Sequence, residues 1–73
     1  MAQIEVKTEV MGLVAVIESK VGDRIAAGET VMFIESMKMQ IPVLVDEDAT
    51  LRQILVAVGE AVSEGQVVAI LEG

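Results

Sequence analysis

Cysteine, histidine, tryptophan and tyrosine are absent from the 73 residues, and Phe33 and Pro42 are the sole phenylalanine and proline. Without cysteine there is no disulfide to staple the fold and no thiolate nucleophile. Without histidine as well, no Cys/His cluster can hold a metal. The same absences empty the catalytic inventory, because Ser19, Ser36 and Ser63 have no imidazole to activate them. The acidic run Asp46-Glu47-Asp48 lacks the apolar surroundings of an acid/base pair and reads as a solvated turn. The chain is expected not to be an enzyme.

Long apolar runs are missing too. The longest, Val10 to Ile17, falls far short of the ~20 residues of a membrane-spanning helix. The start, Met1-Ala2-Gln3-Ile4-Glu5-Val6-Lys7, alternates apolar and polar residues and has no apolar signal-peptide core. With the lack of cysteine, this gives a cytoplasmic location as the expectation. Bases are scarce: five Lys and Arg face twelve Asp and Glu, a net charge of −7. Such a chain repels a phosphate backbone or an anionic bilayer, so neither nucleic acid nor membrane is an expected partner. Its charge favours solubility and steering toward basic clefts.

What remains is aliphatic, with 53% hydrophobic residues. The length allows one domain, 1–73. A chain this short buries only about 60% of its unfolded surface, so aliphatic packing carries the fold.

The chain is written twice. Val21-Gly22-Asp23-Arg24-Ile25-Ala26-Ala27-Gly28-Glu29-Thr30-Val31 aligns with Val58-Gly59-Glu60-Ala61-Val62-Ser63-Glu64-Gly65-Gln66-Val67-Val68 at an offset of 37. The match runs on from Met32-Phe33-Ile34-Glu35 to Ala69-Ile70-Leu71-Glu72. Each half is too small to fold alone, so the two share one core about an approximate two-fold axis. A solenoid needs at least three repeats; two copies point to a closed sandwich or barrel. Short β-branched runs separated by Gly or acidic clusters predict strands near 3–8, 12–18, 30–36, 39–45, 50–57 and 66–72. Short strands are expected near 24–26 and 61–63, with Gly22, Gly28, Gly59 and Gly65 turning the chain between them. Residues 52–62 also carry a helical stripe, against which the β-branched residues, Gly59 and the repeat all speak.

Between the repeats lies Glu35-Ser36-Met37-Lys38-Met39-Gln40-Ile41-Pro42. A two-residue loop at Met37-Lys38 pairs Ser36/Met39, Glu35/Gln40, Ile34/Ile41, Phe33/Pro42 and Met32/Val43. Met32, Ile34, Ile41 and Val43 then share a core face, with Ser36 and Met39 at its outer end, and a slip by one destroys that face. Ser36/Met39 closes the turn as a hydrogen-bonded pair, so by alternation Phe33/Pro42 is not bonded. The missing N–H of Pro42 therefore points away from its partner, which requires an edge strand. The tip itself breaks a rule. Two-residue hairpin loops favour Asn-Gly, since both central residues take positive φ; Met-Lys offers neither and sets a thioether in solvent. A choice that violates the local rule without packing gain marks a functional position. In isolation Met-Lys-Met reads as a solvated lysine between gap-filling methionines. At the midpoint of the repeat, on a hairpin tip, Lys38 reads instead as an amine held out for modification.

Glu35-Ser36-Met37-Lys38-Met39 resembles the attachment motif of the biotinyl/lipoyl attachment domain family, on its biotin carboxyl carrier side, and the resemblance covers about residues 9–72. The lipoyl branch usually shows Asp-Lys-Ala there, so Met37 and Met39 favour biotin. The resemblance implies an all-β fold, a flattened β-barrel or sandwich of two four-stranded antiparallel sheets. It implies biotin in amide linkage on Lys38, installed by a biotin protein ligase. It further implies a non-catalytic carrier that moves carboxyl groups between biotin carboxylase and carboxyltransferase of an acyl-CoA or keto acid carboxylase, such as the acetyl-CoA carboxylase of fatty acid biosynthesis. In that scheme Met37 and Met39 are soft contacts for ligase and partner, with partial core as the other role for Met39. Glu35 either guides recognition or ends a strand in solvent.

Three positions depart from the family pattern. Val10-Met11-Gly12 stands where a Pro-containing segment is common, Gln40 where Glu follows the motif, and Ala49, the repeat partner of Gly12, where Gly is usual. Glu18-Ser19-Lys20-Val21-Gly22 is too short for the protruding thumb of some carriers. The expectation is therefore a small free-standing carrier of the thumbless kind. The alternatives are a lipoyl carrier and an unmodified acidic interaction module.

Overall fold

The computed structural model describes residues 2–73; Met1, the first residue of the expected domain, lies outside them. The strands are β1 (Gln3–Lys7), β2 (Gly12–Ile17), β3 (Arg24–Ile25), β4 (Thr30–Ser36), β5 (Met39–Leu44), β6 (Ala49–Ile54), β7 (Ala61–Val62) and β8 (Val67–Glu72). They form two four-stranded sheets, ordered β1-β8-β6-β3 and β5-β4-β2-β7, with antiparallel pairing throughout. This is the sandwich expected from the sequence. No helix occurs among the described residues, and Gly59 at φ 91° interrupts the stretch with the helical stripe.

The 37-residue offset is a structural operator as well as a sequence one. It carries β1 onto β5, β2 onto β6, β3 onto β7 and β4 onto β8, and one sheet order onto the other. Individual hydrogen bonds obey it. The Val14 amide donates to the Glu60 carbonyl at 2.9 Å, as Leu51 does to Asp23 at 2.8 Å. Gly59 donates to Val14 at 2.8 Å, as Gly22 does to Leu51 at 2.7 Å. At the end of the β8-β1 ribbon, the Gly73 amide donates to the Ala2 carbonyl at 3.1 Å. The same operator relates that end to the β4-β5 hairpin end, where the chain instead turns through Met37-Lys38.

Alternating side chains from both sheets fill the interior. Val14, Val31, Met32 and Ile34 meet Leu51, Val68, Ala69 and Leu71, each at most 1% exposed. Each large aliphatic so buried contributes about 1.5–3 kcal/mol. Bulges at Val31 and Val68, again related by the offset, let consecutive residues of β4 and of β8 both face inward.

One predicted strand is too long. The run 50–57 yields a strand only to Ile54. A register shift at Arg52 bends β6, the Leu55 amide makes a single bond to the Val68 carbonyl at 2.9 Å, and Val56 turns into the core at 7% exposure.

Candidate functional site

The β4-β5 hairpin has the register read from the sequence: Ser36↔Met39, Glu35↔Gln40, Ile34↔Ile41, Phe33↔Pro42 and Met32↔Val43. Met32, Ile34 and Val43 are buried and Ile41 is half-buried, so the inner row anchors the ribbon. β5 is an edge strand, as Pro42 requires. At the tip, Met37 and Lys38 have φ of 53° and 67°, and they are the only non-glycine residues with positive φ among those described. The loop takes the mirror-image geometry that matches strand twist, without the residues that adopt it readily. The left-handed conformation costs an L-residue roughly 1–2 kcal/mol. Nothing packs on the tip in return, since Met37 is 93% exposed and Lys38 is exposed.

Glu35, Met37, Lys38 and Met39 are thus brought together on one exposed ribbon end. Met39 does not join the core. Its parity is that of Ile41, yet it is 65% exposed, because pairing of β2 with β4 begins at Leu13↔Glu35 and leaves Ser36 and Met39 with no third strand beside them. Glu35 faces Gln40 across the ribbon, and no side-chain hydrogen bond joins them among the described residues. The ribbon is held from below at Gly12. A Cβ built there would collide with the Glu35 carbonyl oxygen and touch Ile34, so glycine lets β2 pass close under the root of the hairpin. Nothing in the sequence pattern around Gly12 marks this close approach. Ala49 occupies the related position, fully buried, and carries the Cβ that Gly12 must lack.

Ser19 and Asp48, weighed above for catalysis, make structural hydrogen bonds. The Ser19 hydroxyl donates to the Val31 carbonyl at 3.2 Å, and a carboxylate oxygen of Asp48 accepts from the Ala27 amide at 2.8 Å. No group of three acidic, His or Cys side chains poised for a metal occurs among the described residues. A groove of about 970 Å³ runs between β1 and β5, lined in part by Ile4, Val6, Ile41 and Val43, and none of Glu35, Met37, Lys38 or Met39 reaches it. The arrangement offers an exposed primary amine, unpaired among the described residues, at the apex of the β4-β5 ribbon.

The chain is similar to several known proteins. A family model described as "Biotin-requiring enzyme" (biotin/lipoyl) matches residues 2–72. The chain is 31% identical over 67 residues to the "Biotinylated protein TB7.3 homolog" of Mycobacterium leprae (strain TN), covering 92% of this chain and 94% of that one. It is 40% identical over 48 residues to the "Biotin/lipoyl attachment protein" of Bacillus subtilis (strain 168), 66% of each chain. Among solved structures it superposes on the Kluyveromyces lactis urea carboxylase with a TM-score of 0.92 and 28% identity, covering 97% of this chain and 6% of that one. A single-chain, multi-domain long-chain acyl-CoA carboxylase shares the fold at a TM-score of 0.90 and 21% identity, with 96% of this chain and 7% of that one covered. The chain therefore spans only a small fraction of either carboxylase.

Proposed function

We propose that this chain, which belongs to the biotin/lipoyl attachment family, is a biotin carboxyl carrier domain over residues 1–73 with Lys38 as its attachment residue. The observation that carries the proposal is the exposed amine at the apex of a strained two-residue turn, between two exposed methionines. The lysine and its neighbours fit a covalent cargo: Nζ is accessible, and no described acidic side chain pairs with it.

In the attachment step the deprotonated Lys38 amine attacks the acyl carbon of a biotinyl-adenylate, an amide forms and AMP leaves. A biotin protein ligase takes the proton, since no described acidic side chain pairs with Lys38. The product has one positive charge fewer, so the formal count moves from −7 to −8. Once bound, the group supplies a ureido nitrogen that can carry CO2. The chain contributes the tether: it keeps the arm at high local concentration before a biotin carboxylase and then a carboxyltransferase acting on an acyl-CoA or keto acid. Met37 and Met39 offer soft, uncharged contacts to those enzymes and Glu35 a charged one, and the carrier itself has no catalytic role. A cytoplasmic setting suits all three partners.

Biotin is favoured over lipoate by the methionines that flank Lys38 and by the name of the mycobacterial relative. Co-expression with each ligase in turn, read by intact mass, tests the choice. The expected result is one biotinyl group per chain; lipoate alone on the chain would refute it. No avidin-reactive product with an active ligase would favour the unmodified acidic module.

A further inference from the structure

The internal two-fold operator supplies a control surface. Outward residues of the β5-β4-β2-β7 sheet can be compared, position by position, with those of the β1-β8-β6-β3 sheet. The cross-strand rows are Ala61–Leu13–Glu35–Gln40 and Val16–Phe33–Pro42 on the first, and Arg24–Thr50–Glu72–Gln3 and Gln53–Ile70–Glu5 on the second. At the strand ends Leu44 corresponds to Lys7. Glu35 and Glu72, and Gln40 and Gln3, are alike in the two sheets. Five other positions change character together: Ala61, Leu13, Val16, Pro42 and Leu44 stand where the second sheet has Arg24, Thr50, Gln53, Glu5 and Lys7. Leu13 and Leu44 are each 48% exposed and Val16 is 38% exposed. Folding cannot account for the difference, because both faces lie outside the same core.

We infer that this apolar outer face, on the sheet that carries the hairpin, is the surface gripped by the enzyme that acylates Lys38. The inference rests on the attachment proposed above. Two arguments identify the occupant. The first is reach. An enzyme acting on Nζ must approach to within one lysine side chain of the tip, which brings the tip end of the sheet, with Leu13 paired to Glu35, against it first, whereas enzymes acting on the far end of an attached arm can stand off. The second is charge. Lys7, Arg24 and Arg52 belong to the other sheet, while Glu35 lies on the apolar face and Glu18 and Glu60 flank β2 and β7. A partner with an apolar patch and a basic rim is therefore complementary. A second copy of this chain, also at −7, would be repelled.

The test is the initial rate of biotinylation of the full chain by biotin protein ligase with ATP and biotin. The variant Leu13→Thr/Val16→Gln/Leu44→Lys installs what the related face already tolerates. Its kcat/KM is expected to fall about tenfold or more, through KM, with kcat within about twofold. The mirror variant Thr50→Leu/Gln53→Val/Lys7→Leu is expected to be modified at the wild-type rate. β-sheet circular dichroism confirms folding of each, and Leu13→Thr alone, in the cross-strand row next to the tip, gives the same direction of change should the triple variant not fold. An unchanged kcat/KM for the face variants, an equal loss in the mirror variant, or a wild-type dimer dispersed by the face variant would overturn the inference while leaving the attachment at Lys38 intact. Wild-type protein that takes no biotin would sink the attachment and this inference together.

Discussion

Met37→Gly is expected to raise stability and lower the efficiency of modification at the same time. Met37 sits at φ 53°, where an L-residue costs roughly 1–2 kcal/mol. Glycine removes that cost but adds back about 0.5–1 kcal/mol through its freer unfolded chain. No packing is forfeited, because the side chain is 93% exposed. The net gain is about 0–1.5 kcal/mol, and its midpoint raises Tm by about 3–6 °C in a domain of this size. Thermal unfolding followed by circular dichroism reads the gain, and ligase kinetics on the same protein read the loss. A lower Tm would refute the strain argument, because it would mean that Met37 stabilises the tip. A higher Tm with unchanged kinetics would show that the methionine contributes nothing to recognition.

Other perturbations separate tight contacts from idle ones. Gly12→Ala pushes a Cβ into the Glu35 carbonyl; overpacking of this kind costs about 1–3 kcal/mol in urea unfolding, and amide chemical shifts should move around residues 35–40. Thr8→Val removes a hydroxyl that donates to the Val10 carbonyl at 2.9 Å and accepts from the Val10 amide at 3.2 Å. With Thr8 only 1% exposed, the loss is expected at about 1–3 kcal/mol by the same assay. Arg52→Ala breaks the 2.8 Å pair with Glu72, whose side chains are 57% and 32% exposed; the change should stay below about 1 kcal/mol and shrink further in high salt.

The hairpin was legible because three independent signals met there. The repeat located it, the period-two pattern of Met32, Ile34, Ile41 and Val43 set its register, and Pro42 fixed it at an edge. Strand order followed less directly, through the repeat and the resemblance. Bulges hid the rest. Register shifts near Ala15 and Arg52 change side-chain parity inside β2 and β6, so simple alternation does not group Val16 with Leu13 or Gln53 with Thr50. The unequal outer faces are visible only once those shifts are known. Thr8 was illegible for a similar reason. It replaces the buried Val45 of the other lobe, and only the turn geometry at Val10 shows why a hydroxyl belongs there. The sequence likewise assigned parity to Met39 but not the place where its neighbouring strand ends.

The central claim is that other proteins act on one particular amine. Peptide mapping by tandem mass spectrometry, after reaction of the wild-type chain and of Lys38→Arg with biotin protein ligase, tests it most directly. A single biotinyl group on Lys38, and none anywhere in the folded Lys38→Arg protein, is the predicted result. Biotin found on Lys7 or Lys20 in either protein would contradict it.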